Sequence, residues 1–396
     1  MTAPATRRST TWLTREDCDL DEFRRLVEAG TDPDEVPLAD RVERGVPVYG
    51  ERLRAHLSGG GESARREAQD EIARVLADGA GIAVFAGAFE ESVVDRATAA
   101  YQAMIDEQHA SGVTAGDHFA KPGANDRVWG ALEKLARRDP GVFCDYYATD
   151  VVDLVSTAWL GPQYQVISDL NVVNPGGTAQ TPHRDYHLGF MPLQTAERFP
   201  AHVHRLSPVM TLQGAVAHVD MPVESGPTMY LPHSQKYEPG YLAVGLPEFR
   251  AYFDEHHVQL PLRKGDAVFF NPALFHCAGS NVSADVKRMA NLLQVSSAFG
   301  RSLEVVDRLA VCEALYPELR ARRAAGVPDE VLGNVIAASA EGYPFPTDLD
   351  LDQPVGRINP PSQAEVLRDC LREDADTADT VARLREHAGR RREVRA

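Results

Sequence analysis

Cysteine is scarce: Cys18, Cys144, Cys277, Cys312 and Cys370 are the five in 396 residues, and no two form a CxxC pair. That spacing excludes a disulfide framework and a zinc knuckle, and reduced thiols are expected. Cations are outnumbered too, 41 Lys and Arg against 58 Asp and Glu, for a net charge of -17. A surface of that sign repels phosphate backbones and anionic membranes, so nucleic acid is not an expected partner. Long apolar runs are lacking. No window approaches the roughly 18 uninterrupted apolar residues of a spanning helix. The polar start MTAPATRRSTTW has no apolar centre of the secretory kind. These absences predict no membrane association and a cytoplasmic location.

What is present is an ordinary folded composition, 43% hydrophobic and 25% charged. The length fits one enlarged domain with helical additions. Residues 1–64 mix charge with Pro and Gly, as in TDPDEVP and LSGGGES, and carry only short helical patterns such as Leu20 to Val27. They read as a wrapping arm. From Arg65 the spacing predicts a helix ended by glycine, then the apolar strand Ile82 to Phe85, then an amphipathic helix through Val94, Ala97, Tyr101 and Met104. Two more helical stretches meet at Pro140.

Beyond Leu160 the period becomes that of strands. β-rich runs appear at Gln165 to Val173, Val209 to Val219, Thr228 to Leu231, Val258 to Leu262, Ala267 to Phe270 and Ala290 to Ser297, with a helix at Leu246 to His257. A mainly β fold is predicted, a barrel or jelly roll with flanking helices. Its core would span residues 65–300. Residues 301–396 return to helical spacing through Val305, Leu309, Leu315 and Leu319 and end in a basic tail with no assigned role.

The chemistry is concentrated in two places. Asn174-Pro-Gly-Gly-Thr-Ala-Gln-Thr-Pro-His183-Arg184-Asp185 runs from a turn into a His-x-Asp, and residues two apart on a strand face the same side. A lone His-x-Asp arises readily by chance. About ninety residues later, Lys264-Gly-Asp-Ala-Val-Phe-Phe-Asn-Pro-Ala-Leu-Phe-His276 ends a second apolar strand in a histidine. Two histidines and a carboxylate cover one face of a metal and leave the other open, the arrangement of non-haem Fe(II) oxygenases. A 2-oxo acid and dioxygen can share the open positions, and oxidative decarboxylation then provides an oxidant able to remove a C–H hydrogen.

A dicarboxylate co-substrate also needs a fixed cation at its far end, and the planar fork of arginine matches a carboxylate. Arg288 stands twelve residues after His276 and opens a strand, so a turn at Gly279 to Asp285 can bring it to the site. Lys287 is the competing cation. Cys277, next to His276, points to the opposite face of its strand and is expected in the core.

These residues resemble the phytanoyl-CoA dioxygenase family of Fe(II)/2-oxoglutarate oxygenases, from about Arg65 to Phe299. The carriers are the His-Arg-Asp segment, the stretch Glu224-Ser-Gly-Pro-Thr-Met-Tyr-Leu-Pro-His-Ser-Gln, and His276-Cys-Ala-Gly-Ser-Asn with Arg288. The resemblance implies a double-stranded β-helix, a cupin-like jelly roll. It also implies Fe(II), 2-oxoglutarate and O2, with His183, Asp185 and His276 as catalytic metal ligands. Two positions depart from the family pattern. Its Pro-Gly-Ser-His is here Pro232-His233-Ser234-Gln235, and the hydroxyl residue often found two after the distal histidine is Ala278. Asn171, Thr228 and Tyr186 are candidate replacements for that co-substrate contact. Related halogenases have a small residue at the carboxylate position, so Asp185 favours hydroxylation or desaturation.

Substrate contacts are sought at His187, two beyond Asp185, and at Gln213, whose strand neighbours Ala215 and Ala217 leave room for a ligand. They are also sought at Lys121 and Arg127, in the loop His118-Phe-Ala-Lys121-Pro-Gly-Ala-Asn-Asp-Arg127-Val-Trp129. A zinc pair of His183 and His187 would need a helix, which Pro182 and Gly189 oppose. The expected substrate is a small organic molecule, a specialised metabolite or amino-acid derivative, handled by a monomer or homodimer. Two other readings stay open. One is a cupin-type metal dioxygenase or isomerase that makes no use of 2-oxoglutarate, with Arg288 in a structural ion pair. The other is a non-catalytic small-molecule-binding relative.

Overall fold

A computed structural model describes residues 11–112 and 124–391. Eleven strands are formed among them. The first four are β1 (Arg41–Glu43), β2 (Val46–Tyr49), β3 (Ile82–Phe85) and β4 (Asn125–Val128). Next come β5 (Gln165–Val173), β6 (Thr211–Ala217), β7 (Met229–Leu231) and β8 (Val258–Gln259). The last three are β9 (Ala267–Phe270), β10 (Phe275–Cys277) and β11 (Arg288–Ser296). They make an eight-stranded sheet in the order β1-β2-β3-β9-β6-β11-β5-β4 and a three-stranded sheet in the order β10-β7-β8. Every pairing is antiparallel except that of β2 with β3.

The large sheet has two differently used faces because side chains alternate along a strand. Val166, Leu170 and Val172 of β5, Leu212 and Val216 of β6, and Leu293 and Val295 of β11 enter the main apolar core. Helices Glu51–Ala77, Glu91–Ala110, Pro140–Tyr147 and Arg308–Ala324 close that core from outside through residues such as Ile72, Tyr101, Phe143 and Leu315. Each fully buried side chain of this size stabilises the fold by about 1.5–3 kcal/mol. The opposite face, with Gln213, Ala215, Ala290 and Gln294, looks toward the small sheet across a cavity.

Several expected elements form as read. Helix Leu20–Val27 starts at Asp19, whose carboxylate accepts from the Asp21 and Glu22 amides. Pro140 opens helix Pro140–Tyr147 just after helix Ala131–Arg138. Three expectations are corrected. Helices, not strands, occupy the larger share of the described residues, 47%, because helices pack on the outer face of the sheet and further helices pack on those. Residues 41–49 supply two strands that extend the large sheet, β1 at its edge and β2 next to it. LSGGGES, read as part of an arm with only short helical patterns, lies inside the long helical stretch Glu51–Ala77 and interrupts it by a kink at Gly61, where the backbone is not helical. No helix among the described residues is long and apolar enough to cross a membrane.

Candidate metal centre and its cavity

The cavity between the sheets measures about 900 Å³. At its wall His183, Asp185 and His276 converge, with one ligand atom from each lying within 4.8 Å of the others. The backbone arranges this directly. His183 and His276 exchange both backbone hydrogen bonds, His183 N to His276 O at 3.0 Å and the reverse at 3.1 Å. That pair is an isolated antiparallel bridge which adds the His183 segment beside β10. The Asp185 amide donates to Pro272 O at 2.9 Å, which fixes the second residue of the motif.

Both rings are oriented from behind. His183 Nδ1 lies 2.8 Å from Thr181 O, and His276 Nδ1 lies 2.8 Å from Leu274 O. A carbonyl only accepts, so each Nδ1 carries the proton and each Nε2 offers its lone pair to the cavity. The Asp185 oxygens stand 3.8 Å from His183 Nε2 and 3.6 Å from His276 Nε2. Burial pushes the Asp185 carboxyl up, but His276, His183 and Gln213 outweigh it and hold it down at about 2. Burial and the neighbouring His276 lower the pKa of His183. A carboxylate and two imidazole nitrogens facing one space are a donor set that a divalent metal can use.

Arg288 occupies another part of the same wall. It is buried, and its guanidinium donates to the carbonyls of Ser225 at 3.3 Å and Gly279 at 3.2 Å. No carboxylate among the described residues pairs with it. Burial draws its pKa down to about 10, so it stays a cation near neutrality. The turn before it is pinned by Asn281, whose side-chain amide donates to Val173 O at 2.9 Å and Val286 O at 2.8 Å. Tyr230 was not foreseen. It is buried beside Arg288 and Thr228, with its ring 6.5 Å from that of His276. Its place opposite His276 follows from the β7–β10 register, which the sequence does not display.

The other candidates divide. Thr228, Asn171, Tyr186, Gln213 and Arg127 line the cavity. The Tyr186 ring is set edge-on against Tyr241 and His204. Gln213 donates from Nε2 to Asp185 Oδ2, so its first contact is the carboxylate and not a substrate. Arg127 is engaged by Asp169 at 3.1 Å and lies over the Trp129 ring at 3.8 Å. His187 is not among the residues lining the cavity. Its Nδ1 lies 3.0 Å from Thr211 Oγ1 and its amide donates to Ser207 Oγ, because the chain leaves the extended form after Asp185. Lys121 and His118 lie outside the described residues. Cys277 faces away into an aromatic core, as expected.

A two-histidine, one-carboxylate centre and a buried unpaired arginine in one cavity define an enzyme of the Fe(II)/2-oxoglutarate oxygenase type. The sequence profile of the phytanoyl-CoA dioxygenase (PhyH) family matches residues 77–290, more than half of the chain, and the chain belongs to that family. Its cofactors are Fe(II), 2-oxoglutarate and O2. Among curated proteins none matches the chain. Solved structures give distant resemblances. The non-heme alpha ketoglutarate dependent epimerase SnoN from nogalamycin biosynthesis is 19% identical with a TM-score of 0.39, over 59% of this chain and 82% of that one. The corresponding carbocyclase SnoK is 19% identical with a TM-score of 0.41, over 61% and 86%. AviO1 from Streptomyces viridochromogenes Tue57 is 18% identical with a TM-score of 0.40, over 60% and 97%. At these values each is a similarity and nothing more.

Proposed function

We propose that this chain is an Fe(II)/2-oxoglutarate-dependent dioxygenase that hydroxylates, or otherwise oxidises, a small organic molecule and releases succinate and carbon dioxide. His183, Asp185 and His276 hold the iron, and Arg288 holds the far carboxylate of 2-oxoglutarate, with Thr228 and Tyr230 beside it. Fe(II), when bound with 2-oxoglutarate and dioxygen, supplies the oxidant. The residues of the chain do the rest. They present two imidazole nitrogens and one carboxylate to the metal and fix the co-substrate by its distal end.

One observation carries the reading: Arg288 is a buried cation with no acidic partner among the described residues, in the cavity that holds the triad. Burying an unpaired charge is expensive, so such a site is built for an anion that arrives from outside. The cupin-type alternative asks Arg288 for a structural ion pair, and no such pair is formed among the described residues. Asp185 favours hydroxylation over halogenation, since a carboxylate there takes the position a halide would need. We read the fold as a double-stranded β-helix. The order His183 bridge, β10, β7, β8 faces β9, β6, β11, β5 across the cavity. Residues 65–300 are its core, with β1 and β2 extending the large sheet.

The test is 2-oxoglutarate binding measured by calorimetry on the metal-loaded protein. Arg288→Ala should weaken it by about 2–5 kcal/mol, the range for truncating one partner of a buried charge pair. Metal affinity should hardly change. Unaltered 2-oxoglutarate affinity in that variant would remove Arg288 from the site and the co-substrate reading with it.

A further inference from the structure

The cavity is larger than its co-substrate needs. At about 900 Å³ it lies near the top of the range that encloses a drug-sized ligand, roughly 300–1,000 Å³, and a small diacid with dioxygen leaves most of it over. All but one of the charges on its described wall are already committed. Arg288 takes the co-substrate, and Asp185 faces the two histidines. Arg127 pairs with Asp169. Arg184 donates to Ser234 O and rests against the Tyr241 and Phe275 rings. Arg250, the remaining cation, is exposed to solvent. Much of the other lining is apolar, including Met221, Leu260, Leu262, Phe270 and Leu292.

Several neutral amides interrupt that apolar wall, and two of them matter here. Alternation along β11 puts Arg288, Ala290, Leu292 and Gln294 on the cavity face, and Asn171 of β5 lies opposite Ala290. Gln294 stands directly across from Gln213, the residue that holds Asp185. The side-chain oxygens of Gln294 and Asn171 are buried and meet no hydrogen-bond donor among the described residues. Leaving such an atom unmatched is costly, and a ligand that brings a donor removes the cost. A carboxamide both donates and accepts and carries no charge, so it complements a hydroxyl or an amide rather than an ion.

We infer that Gln294 is a specificity-determining residue that hydrogen-bonds a hydroxyl or amide N–H of the substrate, whose enclosed part is uncharged and mainly apolar. This rests on the oxygenase reading above. Because Gln294 faces Gln213, and Gln213 contacts Asp185, the carbon neighbouring that polar group is the one presented to the metal centre.

The test uses the full chain with Zn(II) in place of Fe(II), saturated with 2-oxoglutarate. Four matched probes are titrated by ligand-observed NMR: benzyl alcohol, benzyl methyl ether, benzoate and benzylammonium. Benzyl alcohol should bind about 10-fold tighter than the other three. Gln294→Leu should bring the alcohol down to the level of the ether. Gln294→Glu, nearly isosteric, should move the preference to benzylammonium. A preference for a charged probe in the wild type, an alcohol preference that survives Gln294→Leu, or no binding by any probe overturns the inference. Affinity for 2-oxoglutarate is read in the same samples. If the wild type fails to bind it, the co-substrate reading falls; if it binds while the probe pattern is absent, only the assignment of Gln294 falls.

Discussion

Asp185 has no freedom left to choose its orientation. Its backbone amide is tied to Pro272 and its carboxylate to the Gln213 side chain, while both histidines reach the same space from the other side. A carboxylate held by an outer partner binds a metal better than one that must be ordered on binding, an effect of about 10–100-fold in affinity. Gln213→Ala should therefore weaken Fe(II) or Co(II) binding by about that factor in a metal titration, while the fold, read by circular dichroism, is unchanged. Equal metal affinity in the variant would leave Gln213 as mere lining. The triad and Arg288 were legible in the sequence because each sits at a fixed offset in an extended segment, where period-two alternation predicts direction. Gln213 was picked for its face, but its partner was not legible, since the contact joins residues 28 apart across a fold. Tyr230 and Gln294 were missed for the same reason, their neighbours being set by strand register. His233 shows the reverse, a departure from the family motif that the backbone explains. It takes the glycine position of Pro-Gly-Ser-His at φ 68°, and its ring is fixed between Lys236 Nζ at 2.9 Å and Thr31 Oγ1 at 3.0 Å. Thr31 gives its own proton to Gly45 O, so His233 Nε2 is the donor to Thr31 and Nδ1 accepts from Lys236. A left-handed residue with a Cβ costs roughly 1–2 kcal/mol. His233→Gly should thus be about 1 kcal/mol more stable than His233→Ala in urea unfolding, although both lose the ring contacts. Identical stability of the two would show that the backbone carries no strain there.

The same glycine arithmetic decides the helix that the sequence appeared to interrupt. In Glu51–Ala77 three successive glycines meet three different environments. Gly59 is helical with nothing near its missing Cβ, Gly60 would put a Cβ 2.3 Å from that of Ala64, and Gly61 has φ 57° and ψ -144°. A run of glycine reads as a loop because propensity disfavours it in a helix, yet Leu53 on one side of the kink and Ala64, Ala68 and Ile72 on the other are all buried. Burial of those faces outweighs the glycine penalty of about 1 kcal/mol per residue. Two substitutions separate these effects. Gly59→Ala should stabilise the protein by about 0.5–1 kcal/mol. Gly61→Ala should destabilise it by about 1–3 kcal/mol, because that backbone region is nearly closed to other residues. Thermal or urea unfolding of both checks the pair, and equal shifts would mean the kink is not a fixed feature. The short strands β1 and β2 escaped notice on related grounds. They lie in a Pro- and charge-rich stretch that gives little strand signal, and the pairing of β1 with β2 and of β2 with β3 is a tertiary event.

At the scale of the whole molecule, the helical layer and the large sheet are joined by one buried polar chain as well as by apolar packing. Asn291 of β11 donates to the Tyr146 hydroxyl at 3.3 Å, Tyr146 lies 3.0 Å from His218 Nε2, and His218 Nδ1 lies 2.8 Å from Thr98 Oγ1. The two hydroxyls, each able to donate or accept, hold the His218 ring between helix Glu91–Ala110 and helix Pro140–Tyr147. Both ring nitrogens of His218 are thus engaged by neutral hydroxyls. Burial accordingly pushes the His218 pKa down to about 3, with Asp95 pulling only weakly the other way. In the unfolded chain the same group titrates near 6.5. Above that value both states are neutral and pH has no effect through His218. Below it the unfolded chain takes up a proton that the folded one refuses until about pH 3, so stability falls as pH drops through this window, by up to about 1.4 kcal/mol per unit. His218→Gln keeps a donor and an acceptor but cannot titrate. It should be less stable than the wild type at pH 7, and the gap should narrow by roughly that slope between pH 6 and pH 4 in urea unfolding. A gap that stays constant over this range would mean that His218 is already protonated in the folded protein, or that the helical layer is not locked to the sheet through it.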